Sequence, residues 1–340
     1  MLRKIIFLIT LFALISGFVF ADEKNEIKLG YSGGIDVDLW YQNNEKTSNE
    51  SNIKVTLAQL ILDAELVSKG SVKIVFLYDE TLDNDRLSVD EAWIRLNASK
   101  NVGITFGQMY LPFGNRSTFL ISDPLVLPVA EYLKSAVCAD FKTGIDNLVF
   151  KAFIYNADKE KINKQKDHIR DGGLAFEYND ENVNASISYI SNMAEKAADQ
   201  LSTTIDTFTK KGSGIDAALK IVLGELSVFA EYAGTFSKIK YEELDQVNLV
   251  QVENKASICA YNFELNYQFS EKFSLAGRVE QNERKVNSVL RLKNTNFAFG
   301  SAYNLFKNAD IQCEYLHGVN DNNGVKRDLD KVTMRISYDF

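Results

Sequence analysis

Period-two alternation along most of the chain, charged residues in mid-strand on the polar faces, and an aromatic C-terminal residue predict an all-β fold. The expected architecture is a transmembrane antiparallel β-barrel of about sixteen strands. Alternation is clearest from Ser257 to Phe269, where Cys259, Tyr261, Phe263, Leu265, Tyr267 and Phe269 share one face. Asn262, Glu264, Asn266 and Gln268 share the other. At the end of the chain Val332, Met334, Ile336, Tyr338 and Phe340 alternate with Thr333, Arg335, Ser337 and Asp339. A side chain turns to the opposite face at every step of a strand, so each such run presents one apolar and one polar surface.

Segments of this kind span 27–41, 53–68, 71–79, 88–98, 102–110, 137–142, 146–155, 171–179, 182–191, 213–222, 225–236, 256–270, 272–283, 294–304, 309–317 and 329–340. The second changes phase near Gln59, which suggests a bulge. The links after even-numbered segments are short, as at Lys69-Gly70, Asp180-Glu181 and Leu223-Gly224. Those after odd-numbered segments are longer and more polar: 42–52, 111–136, 156–170, 192–212, 237–255 and 318–328. Tight turns at one end and long extracellular loops at the other are the layout of an outer-membrane barrel, and an even strand number puts both termini on the periplasmic side.

Alternation alone also fits a soluble sandwich, whose apolar face points inward. The aromatic residues decide between the two. Tyr31, Tyr41, Phe106, Phe176, Tyr178, Tyr189, Tyr267, Phe269, Phe299, Tyr303 and Tyr338 lie at the ends of the apolar faces, where membrane-interface girdles sit. Arg95, Lys151, Glu177, Lys220, Glu231, Glu264, Arg278, Glu280, Glu314 and Arg335 occupy the polar faces and suit a wet lumen. Asp36 and Asp38 point the same way.

The N-terminus reads as an export signal over 1–21. Arg3 and Lys4 precede an apolar run, and Val19-Phe20-Ala21 offers a small-residue cleavage site. The barrel domain is then expected over 22–340. Beyond Ala21 no stretch reaches the ~18 apolar residues that a membrane helix needs. The chain is acidic, with 46 Asp and Glu against 38 Lys and Arg, which argues against a nucleic-acid partner and against strong anion selectivity. Cys138, Cys259 and Cys313 are widely spaced, and His168 and His317 are the two histidines, so neither a metal set nor a cofactor is expected.

The 3 prolines all lie in one connection, at 112, 124 and 128. Proline removes a ladder donor, so this stretch is not strand. Yet Phe113, Phe119, Leu120, Ile121, Leu125, Val126, Leu127 and Val129 need cover. The third long loop, 111–136, is therefore expected to fold into the barrel and narrow it. Its charges, Arg116, Asp123, Glu131 and Lys134, are the candidate constriction residues. Capping turns and binding the wall is the competing role for them. Arg95, Glu264, Arg278, Glu280 and Arg335, with Glu91 and Glu314 opposite, are the candidate selectivity residues of the lumen. Cross-strand salt bridging is their competing role.

Within this loop the run Tyr110-Leu111-Pro112-Phe113-Gly114-Asn115, followed by Ile121-Ser122-Asp123-Pro124-Leu125 and Glu131, resembles the outer-membrane siderophore porins related to the legiobactin receptor. More distantly it resembles phosphate-selective-type porins. The resemblance implies a sixteen-strand porin linked to uptake of iron–siderophore complexes. Relatives of that kind carry a helical segment before the barrel, and here Ala21 leads almost directly into strand.

Three functions remain in view: a porin for small polar solutes or ferric siderophore, an adhesin or structural barrel, and a barrel enzyme. His317 is the one strand-end histidine, and no nucleophile–base spacing stands out, so no enzyme is expected. A receptor with a plug domain needs about 22 strands and exceeds this length. Outer-membrane lipid and lipopolysaccharide are the expected surroundings. Homotrimer and monomer both stay open.

Overall fold

The computed structural model describes residues 27–44, 47–66, 69–80, 87–115, 117–156, 169–196, 207–245 and 250–340. The expected export signal, 1–21, lies outside the described residues. The strands are β1 (Ile27–Asn44), β2 (Thr47–Leu66), β3 (Gly70–Tyr78), β4 (Leu87–Asn97), β5 (Val102–Tyr110), β6 (Leu133–Lys142), β7 (Leu148–Tyr155), β8 (Asp171–Asn179) and β9 (Val183–Ile190). They continue with β10 (Thr207–Lys210), β11 (Gly214–Leu223), β12 (Leu226–Thr235), β13 (Ile239–Asp245), β14 (Val250–Ser270), β15 (Phe273–Val286), β16 (Val289–Phe306), β17 (Ala309–Asn322) and β18 (Val325–Asp339). All belong to one sheet, and β18 pairs with β1 to close it.

The closed wall has sixteen strands, not eighteen. β13 continues β12 after a short break, and both pair with β14. β10 is a short flap on the free edge of β13. Each predicted segment corresponds to one wall strand. The register shifts where Asp36 faces Leu57 and Val37 faces Val55, leaving Thr56 as the extra residue of a bulge. That lies close to the phase change read near Gln59.

Two expectations about the ends of strands need correction. Connections 42–52, 237–255 and 318–328 are largely ladder. β1 and β2 pair up to Asn44 and Thr47, and β17 and β18 up to Asn322 and Val325. The β17–β18 hairpin turns on Asn323 and Gly324, both at positive φ (53° and 84°), and the β15–β16 hairpin on Asn287 and Ser288 (51° and 68°). Two residues at positive φ make the turn whose twist matches the flanking strands. The second correction is that β6 begins at Leu133, so the third connection is 111–132, and Lys134 stands on the wall.

The surface is apolar outside and charged inside. Tyr261, Phe263 and Leu265 are 42%, 45% and 42% exposed, whereas Asn262 and Glu264 between them are buried. Phe299, Tyr303, Tyr315, Ile336 and Tyr338 are also exposed. A water-soluble protein would invert this arrangement. The seam closes at Phe340, whose N–H and carbonyl each bond Gly33 at 3.0 Å.

Candidate functional site

Among the described residues, the connection 111–132 packs on the buried face of the wall, and Met193, Ala194 and Phe208 join the same cluster. The apolar residues of the connection form two contacts with the wall. Leu111, Phe113, Val126, Val129, Ala130 and Tyr132 pack with Phe153, Tyr155, Ile190, Ala233, Ile258 and Ala260. Leu120 joins Ala276, Ala298 and Leu316, with Phe119 against them. A short helix, α1 (Leu127–Ala130), carries Pro128 in its first turn, where proline costs no hydrogen bond. Gly114 sits at φ 86° against this helix, and a Cβ there would stand 2.5 Å from that of Ala130.

Four wall carboxylates bind the loop through its backbone. Glu231 accepts from Asn115 N–H at 2.6 Å, and Glu264 from Phe119 N–H at 2.9 Å. Glu314 accepts from Ile121 and Ser122 N–H at 2.7 and 3.0 Å, and Glu280 from Leu125 N–H at 2.6 Å. Thr118 adds a hydroxyl bond to Glu264 at 3.1 Å. Arg278 lies between Glu264 and Glu280, at 3.6 and 3.4 Å, and all three side chains are closed to solvent. Proline-interrupted loop leaves backbone N–H groups without ladder partners, and an ionised carboxylate is a strong acceptor for them.

This geometry alters the reading of the lumen residues. Glu264, Arg278 and Glu280 do not line an open passage; they are anchors beneath the loop. Arg335 keeps some exposure, pairing with Asp38 at 2.7 Å and Asp36 at 3.4 Å. Arg95 forms a bidentate pair with Asp140 at 2.5 and 2.7 Å, beside the tight turn at 98–101. Glu91 pairs with Lys73 at 3.0 Å.

The loop charges separate as well. Arg116 lies outside the described residues. Asp123 is exposed, within electrostatic reach of Arg335 and Arg278. Although it meets water, loss of hydration between the walls raises its carboxyl above the ordinary value, against the pull of both arginines. Glu131 caps the C-terminus of α1, its N–H donating to Leu127. Lys134 is tied to Glu195 at 2.8 Å. Of the four loop candidates, Asp123 is thus the one within electrostatic reach of Arg335, which pairs with Asp36 and Asp38. Sequence reading missed Asp140 and Asp216, and the loop-binding role of Glu231 and Glu314. Anchoring by backbone amides leaves no residue signature in the loop.

The fold is similar to that of the outer-membrane channel DcaP of Acinetobacter baumannii, with a TM-score of 0.69 over 92% of this chain and 97% of that one, at 14% identity. It is similar to the anion-selective porin of Comamonas acidovorans, with a TM-score of 0.67 over 93% and 100%, at 10% identity. The trimer form of OmpT, an outer membrane protein of Vibrio cholerae, gives 0.62 over 92% and 99%, at 11% identity. In sequence, the UPF0422 protein of Coxiella burnetii is 23% identical over 303 residues, 85% of this chain. The chain spans only 64% of that relative's length. The sequence model of the Gram-negative porin family matches residues 9–323, and with this match added to the closed sixteen-strand wall, the chain belongs to the Gram-negative porins of the outer membrane.

Proposed function

We propose that this porin admits small polar solutes by diffusion between the loop 111–132 and the wall formed by β1 and β18, with preference for cations. The observation that carries the reading is Asp123 within electrostatic reach of Arg335, which pairs with Asp36 and Asp38. Three carboxylates thus act on one guanidinium, and charge in a narrow, poorly hydrated passage acts more strongly than charge on a rim. Arg116 is kept as a constriction charge from its place in the loop sequence alone. The long connections are taken to face outward from the cell, and the termini the periplasm. A trimer, as in the trimer form of the Vibrio cholerae protein, is the assembly we favour. The motif around Pro112 and Pro124 extends the solute class to ferric siderophores.

The test is the reversal potential of the purified protein in a planar bilayer under a salt gradient. Wild type should conduct and favour cations, and Asp123→Lys should move selectivity toward anions, less so in high salt. A barrel that folds but does not conduct overturns the channel reading. Growth on a ferric siderophore as sole iron source, with and without the gene, tests the solute: equal growth removes siderophores from the list.

A further inference from the structure

The two halves of the loop meet the wall differently. Ser122 and Asp123 reach toward Arg278 and Arg335, on β15 and β18. Asn115 and Ser117 instead face β8 and β9 across a cavity of about 440 Å³, lined also by Glu177, Asn179, Asn184 and Ser186. In the β8–β9 ladder Glu177 is the direct partner of Ser186, and Asn179 of Asn184. These four side chains make one polar patch, about 5 Å across the strands and about 7 Å along them. The loop side of the cavity is fixed, because Asn115 N–H donates to Glu231 at 2.6 Å and Ser117 N–H to Asn115 Oδ1 at 2.9 Å.

The lining is polar but carries no net charge. Glu177 is its one ionised group, and Lys151 pairs with it at 2.6 Å. Among the described residues no lysine or arginine lines the cavity, so an anion finds no partner there, and a cation would have to displace Lys151. The remaining groups are carboxamides and hydroxyls. Among the described residues the side chains of Asn179, Asn184 and Ser186 make no hydrogen bond with other residues. A carboxamide offers a donor and an acceptor side by side, and each hydroxyl of a polyol is both donor and acceptor. Neighbouring hydroxyls on a sugar ring therefore match this set, and the volume falls within the range of small-molecule sites. Phe119 already has Lys220 over its ring at 5.2 Å, and no aromatic residue lines the cavity among the described residues. Without an aromatic face to cover, binding is weak, as a permeating solute requires.

We propose that this cavity binds uncharged polyhydroxylated solutes of sugar size, with Asn179 and Asn184 as bidentate partners of neighbouring hydroxyls and Asn115, Ser117 and Ser186 completing the set. Asn179 and Asn184 flank the tight turn at Asp180-Glu181, where asparagine reads in sequence as a turn residue. A part in permeation rests on the channel reading above; binding does not, and is measured separately.

The test uses the full chain in lipid nanodiscs and glucose as the probe. Saturation-transfer difference NMR should show saturable binding in the millimolar range, with glucosamine and glucuronate binding no better. Asn184→Ala and Ser186→Ala should each weaken it several-fold, and Gln312→Ala, on β17 across the barrel, should not. Absence of saturable glucose binding to folded wild type overturns the proposal, as it would if a side chain of the loop fills the space. Tighter binding of glucosamine or glucuronate overturns the assignment to uncharged solutes. Undiminished binding by both folded variants overturns the location. In a planar bilayer glucose should also reduce the ion current saturably; binding by NMR to a barrel that does not conduct overturns the channel reading alone.

Discussion

Arg278 on β15 grips Ser122 of the loop twice, donating to its carbonyl at 2.8 Å and to its hydroxyl at 2.6 Å. The same guanidinium separates Glu264 from Glu280, so it supports the loop and balances its anchors. Removing one member of a buried charge group leaves the others unpaired, at about 3–5 kcal/mol. Arg278→Ala should therefore lower the temperature at which the folded form is lost in a heat-modifiability gel. In a bilayer it should give a noisier, larger conductance. A variant as stable and as quiet as wild type would show that the loop is held without the Arg278 contacts.

Gly114 allows the loop to turn onto α1. Both its positive φ and the 2.5 Å approach to Ala130 exclude a side chain. Gly114→Val should displace the loop while leaving the wall intact. The barrel should still form, shown by unchanged circular dichroism in the strand region, and conductance should change. Loss of the barrel itself would mean that loop packing is needed for closure.

Leu265 and Asn266 are neighbours in β14 that face opposite sides. Leu265→Arg puts a charge into lipid and should cost about 2–4 kcal/mol near the midplane. Asn266→Arg points into the barrel and should fold normally. Equal damage from both, measured by folding yield into lipid vesicles, would refute the assignment of faces.

The two hairpin ends make a topological prediction. An epitope inserted between Asn323 and Gly324 should be accessible on intact cells. One inserted at Asp180-Glu181, where β8 turns tightly into β9, should be detected only after the outer membrane is opened. Labelling at the second site on intact cells would reverse the barrel.

The wall was legible in the sequence because lipid enforces period-two alternation, as between Phe263 and Glu264. Past the membrane that pressure lapses. Residues 318–322 and 325–328 are polar on both faces, so they read as loop although they pair to the last residue. The Asn323-Gly324 turn was the available signal. β6 was shortened for a related reason: Leu133 and Lys134 follow a loop as apolar as the strand itself. Inward-facing charges were legible as inward, but not their partners. Nothing local joins Glu264 to Phe119, or Arg278 to Ser122, since such contacts span about half the chain and use backbone atoms.

The bond pair between Gly33 and Phe340 also has a meaning in time. It adds to the pairing of the first described strand with β18, so the ribbon cannot become a cylinder until β18 has been synthesised and delivered. Until then β1 and β17 each expose a bare row of N–H and carbonyl groups, which would template aggregation in water and could not persist in lipid. Closing so long a contour is entropically slow. The open sheet therefore keeps two bare edges until β18 docks on β1, and a chain lacking Phe340 would leave the Gly33 N–H and carbonyl without these partners.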